Sequence, residues 1–152
     1  MKSILFVCTG NTCRSPMAEA LFKNMLPKDT KIRVASAGVQ ARQGLAASMM
    51  TLSVLAKEGI RFAHFQSQAV TPELMNDATY VFAMTQQHRN FLIRCYPQYQ
   101  EKIFLLTEWT TQEDLSDPIG GCLEDYEECC EVIKSSLEKI LPFVKEENFE
   151  ER

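Results

Sequence analysis

Ile4-Leu5-Phe6-Val7-Cys8-Thr9-Gly10-Asn11-Thr12-Cys13-Arg14-Ser15-Pro16 is the stretch on which the fold turns. Ile4 to Val7 is a short, continuous apolar run, as in a parallel strand buried on both faces. From Ser15 to Met25 the periodicity becomes helical, with Met17, Leu21, Phe22 and Met25 making the buried face. Ser15 can serve as N-cap, Pro16 suits the first turn, Glu19 complements the positive end of the helix dipole, and Pro27 stops the helix at Leu26. A strand, a glycine-bearing loop and a helix in immediate succession aim backbone amides at one point, where phosphate is favoured. The loop begins at Cys8, which places a sulfur beneath any anion held there.

Outward from this unit the chain alternates. Ile32 to Ser36 reads as a second strand, with Gly38 marking a turn out of it. Gly44 to Lys57 is helical through Leu45, Met49, Leu52, Val54 and Leu55, and Gly59 closes it. Residues 60–70 read as an irregular connection. Thr71 and Pro72 open a short helix through Asp77, and Tyr80 to Met84 is a third buried strand. Thr85 to Arg94 is a further helix, with Phe91, Leu92 and Cys95 facing inward and Pro97 ending it; Ile103 to Leu106 is a fourth strand. Residues 107–121 form a long polar loop holding Trp109, Asp114, Asp117-Pro118 and Gly120-Gly121, and loops of this length inside a domain are commonly functional. A last helix runs from about Leu123 to Val144, and the acidic tail, about 146–152, frays.

This alternation predicts an α/β three-layer sandwich, a four-stranded parallel sheet with helices on both faces, in one domain spanning 1–152. Ligands in such folds bind beyond the carboxyl ends of the strands, where the loops at 8–14 and around Asp117 can converge. A net charge of −4 without any Lys/Arg cluster argues against a nucleic-acid partner, and no apolar run is long enough for a membrane span. Met1-Lys2-Ser3 runs straight into the first strand without a leader pattern, so we expect a cytoplasmic protein, a monomer, with its six cysteines reduced. Two histidines and no Cys-x-x-Cys pair make a structural zinc site improbable; no metal and no cofactor is expected.

Cys8 and Arg14 stand in a Cys-x5-Arg spacing with Ser15 next. A loop of that length can wrap a tetrahedral anion, with Thr9, Gly10, Asn11, Thr12, Cys13, Arg14 and Ser15 as the phosphate-binding set. The planar Arg14 fork suits the non-bridging oxygens, and Ser15 can donate to the sulfur. Gly10 and Asn11 tolerate the left-handed backbone that turns amides inward. Attack by Cys8 gives a phosphocysteine. Asp117 is the candidate general acid for the leaving group and later the base for water. Blander readings stand beside these: Asp117 as an ordinary Asp-Pro turn, Cys13 as a small core residue, and the loop as a phosphate-binding module without turnover. His64 and His88 read as surface or core-edge residues, Trp109 as core or pocket rim. Of Cys129 and Cys130, one is expected to pack and the other to be exposed.

Val7 through Glu19, with Ser36-Ala37-Gly38 and Asp117-Pro118, resembles the low-molecular-weight protein tyrosine phosphatases over nearly the whole chain. The resemblance implies their sheet, in the order 2-1-3-4, and a phosphorylated protein as substrate. It also implies Cys8 as nucleophile, Arg14 as phosphate clamp and Asp117 as acid. Cys13 matches the position that pairs reversibly with the nucleophile in many members, making Cys8 and Cys13 a candidate redox pair. Two positions depart from the tyrosine-directed pattern. Thr12 stands where a bulky aliphatic residue is usual, and Ile119-Gly120-Gly121 stands where aromatic residues would wall a phosphotyrosine slot. Both features look like the bacterial protein arginine phosphatases of the same family, so Thr12 and Ile119 are the candidate selectivity residues. Phosphoarginine is the first choice of substrate and phosphotyrosine the alternative. The spacing of Cys122 and Cys129 also resembles the thiol relay of arsenate reductases on this fold, a remote third reading.

Overall fold

β1 (Ser3–Cys8) lies inside the sheet because Ile4 to Cys8 are all buried and can tolerate neighbours on both edges and both faces. The computed structural model describes residues 1–110 and 114–146. Along the chain follow α1 (Arg14–Met25), β2 (Arg33–Gly38), α2 (Met49–Lys57), α3 (Pro72–Asp77), β3 (Tyr80–Ala83), α4 (Gln86–Cys95), a 3-10 turn (Pro97–Lys102), β4 (Ile103–Leu105) and α5 (Leu123–Lys145). All strand pairs are parallel, in the order β2-β1-β3-β4, as the resemblance implies. The chain goes from β1 to one edge and returns past it to β3. The loop after β1 therefore sits at the reversal of strand order, where a crevice opens.

Alternation along β1 divides the core. Ile4, Phe6 and Cys8 join Met17, Phe22, Leu137 and Ile140 of α1 and α5, whereas Leu5 and Val7 join Met75 and Leu92 of α3 and α4. Phe6 stacks on Phe82 and meets Phe22 edge-on, both at 5.8 Å. Lys2 is buried and donates from Nζ to the carbonyls of Val144 and Glu146, tying the end of α5 to the start of the sheet. Among the described residues no helix is long and apolar enough to cross a membrane.

Several expected boundaries shift. α1 starts at Arg14 with Cys13 before it and no side-chain cap, because the Ser15 hydroxyl is turned to the Cys8 sulfur instead. β2 continues to Gly38, which pairs with Cys8 and bridges Ala69 rather than turning away. α2 begins at Met49: Ser48 Oγ accepts the Thr51 N–H, and Ser67 Oγ accepts that of Leu45, holding the preceding residues as a loop. Leu45 and Met49 are accordingly exposed. On α4 the inward residues are His88 and Leu92, one turn apart, while Phe91 and Cys95 face outward. Cys129 and Cys130 are both buried, because α5 packs against α1 and α2 together. The expected fraying of the tail lies outside the described residues beyond Glu146.

Candidate active site

Cys8 ends β1 with its sulfur buried, and the next residues wrap around it. Asn11 takes a left-handed backbone (φ 57°) that aims its N–H at Cys8 Sγ, 3.3 Å away. Ser15 Oγ lies 2.8 Å from the same sulfur. The direction of that bond follows from its neighbours. Asn11 Nδ2 donates to Ser15 Oγ (2.9 Å) and to Ser36 Oγ (3.0 Å), and Ser36 in turn donates to the buried Glu19 Oε1 (2.7 Å). Ser15, already accepting from Asn11, keeps its own proton to donate to the Cys8 sulfur. Glu19 thus anchors a hydrogen-bond chain, with Lys23 Nζ on its other oxygen at 2.6 Å, beyond the dipole role expected of it. Asn11 Oδ1 accepts the Gln68 N–H (2.9 Å), completing its amide.

Gly38 is required by this loop. A Cβ there would collide with the Thr9 carbonyl and crowd the Asn11 N–H. Gly38→Ala is expected to destabilise the fold by about 1–3 kcal/mol through overpacking and to weaken inhibition by inorganic phosphate, because the loop must move. Thermal melts and phosphate inhibition check this together, and unchanged inhibition would mean that the loop accommodates the methyl.

Arg14 is buried and holds the far loop with both ends of its guanidinium. Nη1 donates to the Leu115 carbonyl (3.2 Å) and Nη2 lies 3.4 Å from Asp117 Oδ2. Asp117, 45% exposed, also accepts the Ile119 N–H on Oδ1 (3.1 Å). The Leu115 N–H bonds to Met84 O (3.2 Å), and Asp114 Oδ1 accepts the Gln86 N–H (2.8 Å), so the loop is pinned to the end of β3 and the start of α4. Arg14, six residues after Cys8, thus ties Asp117, a hundred residues further on, to the loop that begins at the cysteine.

The Thr12 carbonyl accepts the Ser48 N–H (2.9 Å) and the Thr51 hydroxyl (3.3 Å), fixing the half-buried Thr12 against the start of α2. Ile119 is exposed and Pro118 buried. Cys13 turns its thiol to Tyr126 OH (3.4 Å) and Ser48 Oγ (3.5 Å). Burial first, then the hydrogen bond to Cys13, pushes the Tyr126 hydroxyl up to about 12, keeping it neutral. Trp109 packs on Phe143 (5.2 Å) and Phe104 (5.7 Å), away from the crevice. The third reading finds little support: Cys122 is exposed at the head of α5, and burial pushes the Cys129 thiol up to about 12, a poor nucleophile.

His88 and the chain Asn11-Ser36-Glu19 escaped the sequence reading. His88 Nε2 lies 2.7 Å from Thr9 Oγ1. The signal in the sequence is the Thr85-x-x-His88 spacing, which puts the ring in the first turn of α4, beside the loop after β1.

The low molecular weight phosphotyrosine protein phosphatase family matches residues 3–150. A protein-arginine-phosphatase of Geobacillus stearothermophilus is 41% identical over 140 residues, 90% of this chain and 92% of that protein. The low molecular weight protein-tyrosine-phosphatase PtpB of Staphylococcus epidermidis is 37% identical over 139 residues, covering 90% and 95%. Among solved structures, a variant of the YwlE arginine phosphatase carrying a phosphorylated active-site serine superposes with a TM-score of 0.89 at 36% identity, covering 95% of this chain and 97% of that one.

Proposed function

Because the chain belongs to the low molecular weight phosphotyrosine protein phosphatase family, we propose that it removes phosphate from phosphoarginine in proteins, through a phosphocysteine and without metal or cofactor. The observation that carries this is the Arg14–Asp117 contact beside the loop of Cys8, with Thr12 and Ile119, neither aromatic, at the two selectivity positions.

In this reading the Cys8 thiolate, stabilised by Ser15 and the Asn11 amide, attacks phosphorus in line. The P–N bond breaks as Asp117 protonates the departing guanidine nitrogen, giving guanidinium. The amides of Thr9 to Ser15 and the Arg14 fork hold the equatorial oxygens. Asp117, now a carboxylate, takes a proton from water; hydroxide displaces sulfur, and inorganic phosphate leaves with the thiolate restored. Thr12 leaves room for the planar guanidinium, and the Asp117 carboxylate can pair with it. Phosphotyrosine is the second reading, favoured by the tyrosine-directed relative.

The same loop supports redox control. Peroxide oxidises the Cys8 thiolate to a sulfenic acid, releasing hydroxide; the Cys13 thiol then displaces the sulfenic oxygen as water, leaving a disulfide and no nucleophile. All six cysteines are unpaired, which fits a reducing cytoplasm, and we read the protein as a monomer.

Turnover of a phosphoarginine protein and a phosphotyrosine peptide by wild type and Thr12→Ile tests the substrate. Wild type is expected to favour phosphoarginine. The added bulk at position 12 should lower that activity by roughly 10–200-fold relative to phosphotyrosine, the range set by misfit of a group of this size. A wild-type preference for phosphotyrosine that Thr12→Ile leaves unchanged would overturn the assignment.

A further inference from the structure

We propose that His88 is a positioning residue for the phosphate-binding loop: from the first turn of α4 its imidazole holds the Thr9 hydroxyl and so fixes the residue next to the nucleophile. The proposal rests on the reading of the Cys8 loop as the phosphate-cleaving site. His88 is 6% exposed, although its helix carries exposed residues on either side, Gln87 and Asn90 among them. A buried imidazole must satisfy both of its ring nitrogens, and what it bonds there decides what it can hold in place. This one has a partner on each nitrogen: Nε2 lies 2.7 Å from Thr9 Oγ1 and Nδ1 lies 3.0 Å from Thr85 Oγ1.

The ring is aimed by two features of the fold. Thr85 Oγ1 accepts the backbone N–H of His88 itself (3.1 Å), capping α4 and setting where its first turn begins. Parallel pairing of Val7 with Ala83, continued by the Met84 N–H to the Val7 carbonyl (3.0 Å), brings the turn after β3 alongside the loop after β1. Thr9 is then gripped from two sides, since its carbonyl accepts the Gln40 N–H at 2.9 Å. His88 closes the side that the backbone leaves open.

The charge state agrees with a bridging role. Burial first, and then the Arg14 guanidinium, lowers the imidazole to about 4, against the opposing pull of Asp114 and Asp117. At neutral pH the ring is uncharged, so one nitrogen donates and the other accepts. It therefore adds no positive charge to compete with Arg14 for the substrate's phosphate.

Two substitutions separate positioning from packing. The amide of glutamine can reach the place of Nε2 and keep the bond to Thr9. The shorter asparagine can reach only the place of Nδ1 and keeps the bond to Thr85. His88→Gln is expected to hold kcat/KM within about threefold of wild type. His88→Asn should lose about tenfold, the size of one hydrogen bond, with inhibition by inorganic phosphate weakened in step and a melting temperature matching that of His88→Gln. Equal loss in both variants, or loss in neither, overturns the proposal. Failure of the underlying site reading would look different, as turnover surviving in Cys8→Ser assayed beside them.

Discussion

Cys8→Ser is expected to lower kcat/KM by about 10⁴-fold or more while leaving inorganic phosphate bound almost as tightly as in wild type. The two halves of this result come from different parts of the loop. Turnover needs the sulfur as nucleophile, and the site is built around it: the Asn11 N–H at 3.3 Å and the Ser15 hydroxyl at 2.8 Å both face Cys8 Sγ. An alcohol at position 8 stays protonated at neutral pH and is a far weaker nucleophile than a thiolate. Binding relies instead on the loop amides and Arg14, which the substitution leaves in place. Steady-state turnover, with calorimetric titration of phosphate, measures each half. A loss below tenfold would remove Cys8 from the chemistry, and phosphate binding without turnover in wild type would favour a binding module.

What sequence alone made legible follows the range of the interactions involved. β1 and β3 are continuous apolar runs, and Thr71-Pro72 opens α3 where local cap chemistry says it should, because these signals are complete within a few residues. Ser15 reads as a cap, and nothing local reveals that its hydroxyl is drawn to a sulfur seven residues back. Gly38 looked like a turn residue. Its actual constraint, the Thr9 carbonyl against its α-carbon, exists only once β1 and β2 pair with Cys8 opposite Gly38. The contacts of His88 and Glu19 were hidden for the same reason, each depending on a neighbouring strand's register. Neighbouring cysteines 129 and 130 seemed to require one exposed side, but a helix packed against two others buries a wider arc than periodicity suggests. Thr12 is a further case. Its spacing in the loop says nothing about substrate, which only the resemblance to the arginine-directed relatives suggests.

Arg14→Lys keeps the charge and is nonetheless expected to lower kcat/KM by about 10²–10³-fold, the range for removing one donor that stabilises transition-state charge. Lysine offers a point charge where the planar fork offered paired N–H donors, so oxygens of the flattening phosphoryl group lose their matched partner. Arg14 has a second task that a lysine cannot share: Nη1 holds the Leu115 carbonyl while Nη2 faces Asp117. The loop that carries Asp117 is therefore fastened partly by the residue proposed to clamp the phosphate. A dianionic phosphate on the Nη2 face would compete with Asp117 for the same N–H donors, so the clamp and the placement of the acid are coupled through one side chain. Losing the fork should hurt twice, in phosphate affinity and in placement of the acid. Phosphate inhibition is expected to weaken in Arg14→Lys, unlike in Cys8→Ser. The deficit should also be larger on phosphoarginine, whose guanidine must be protonated to leave, than on p-nitrophenyl phosphate, whose phenolate departs unaided. Equal deficits on both substrates would leave the clamp intact and strike out the coupling between clamp and acid.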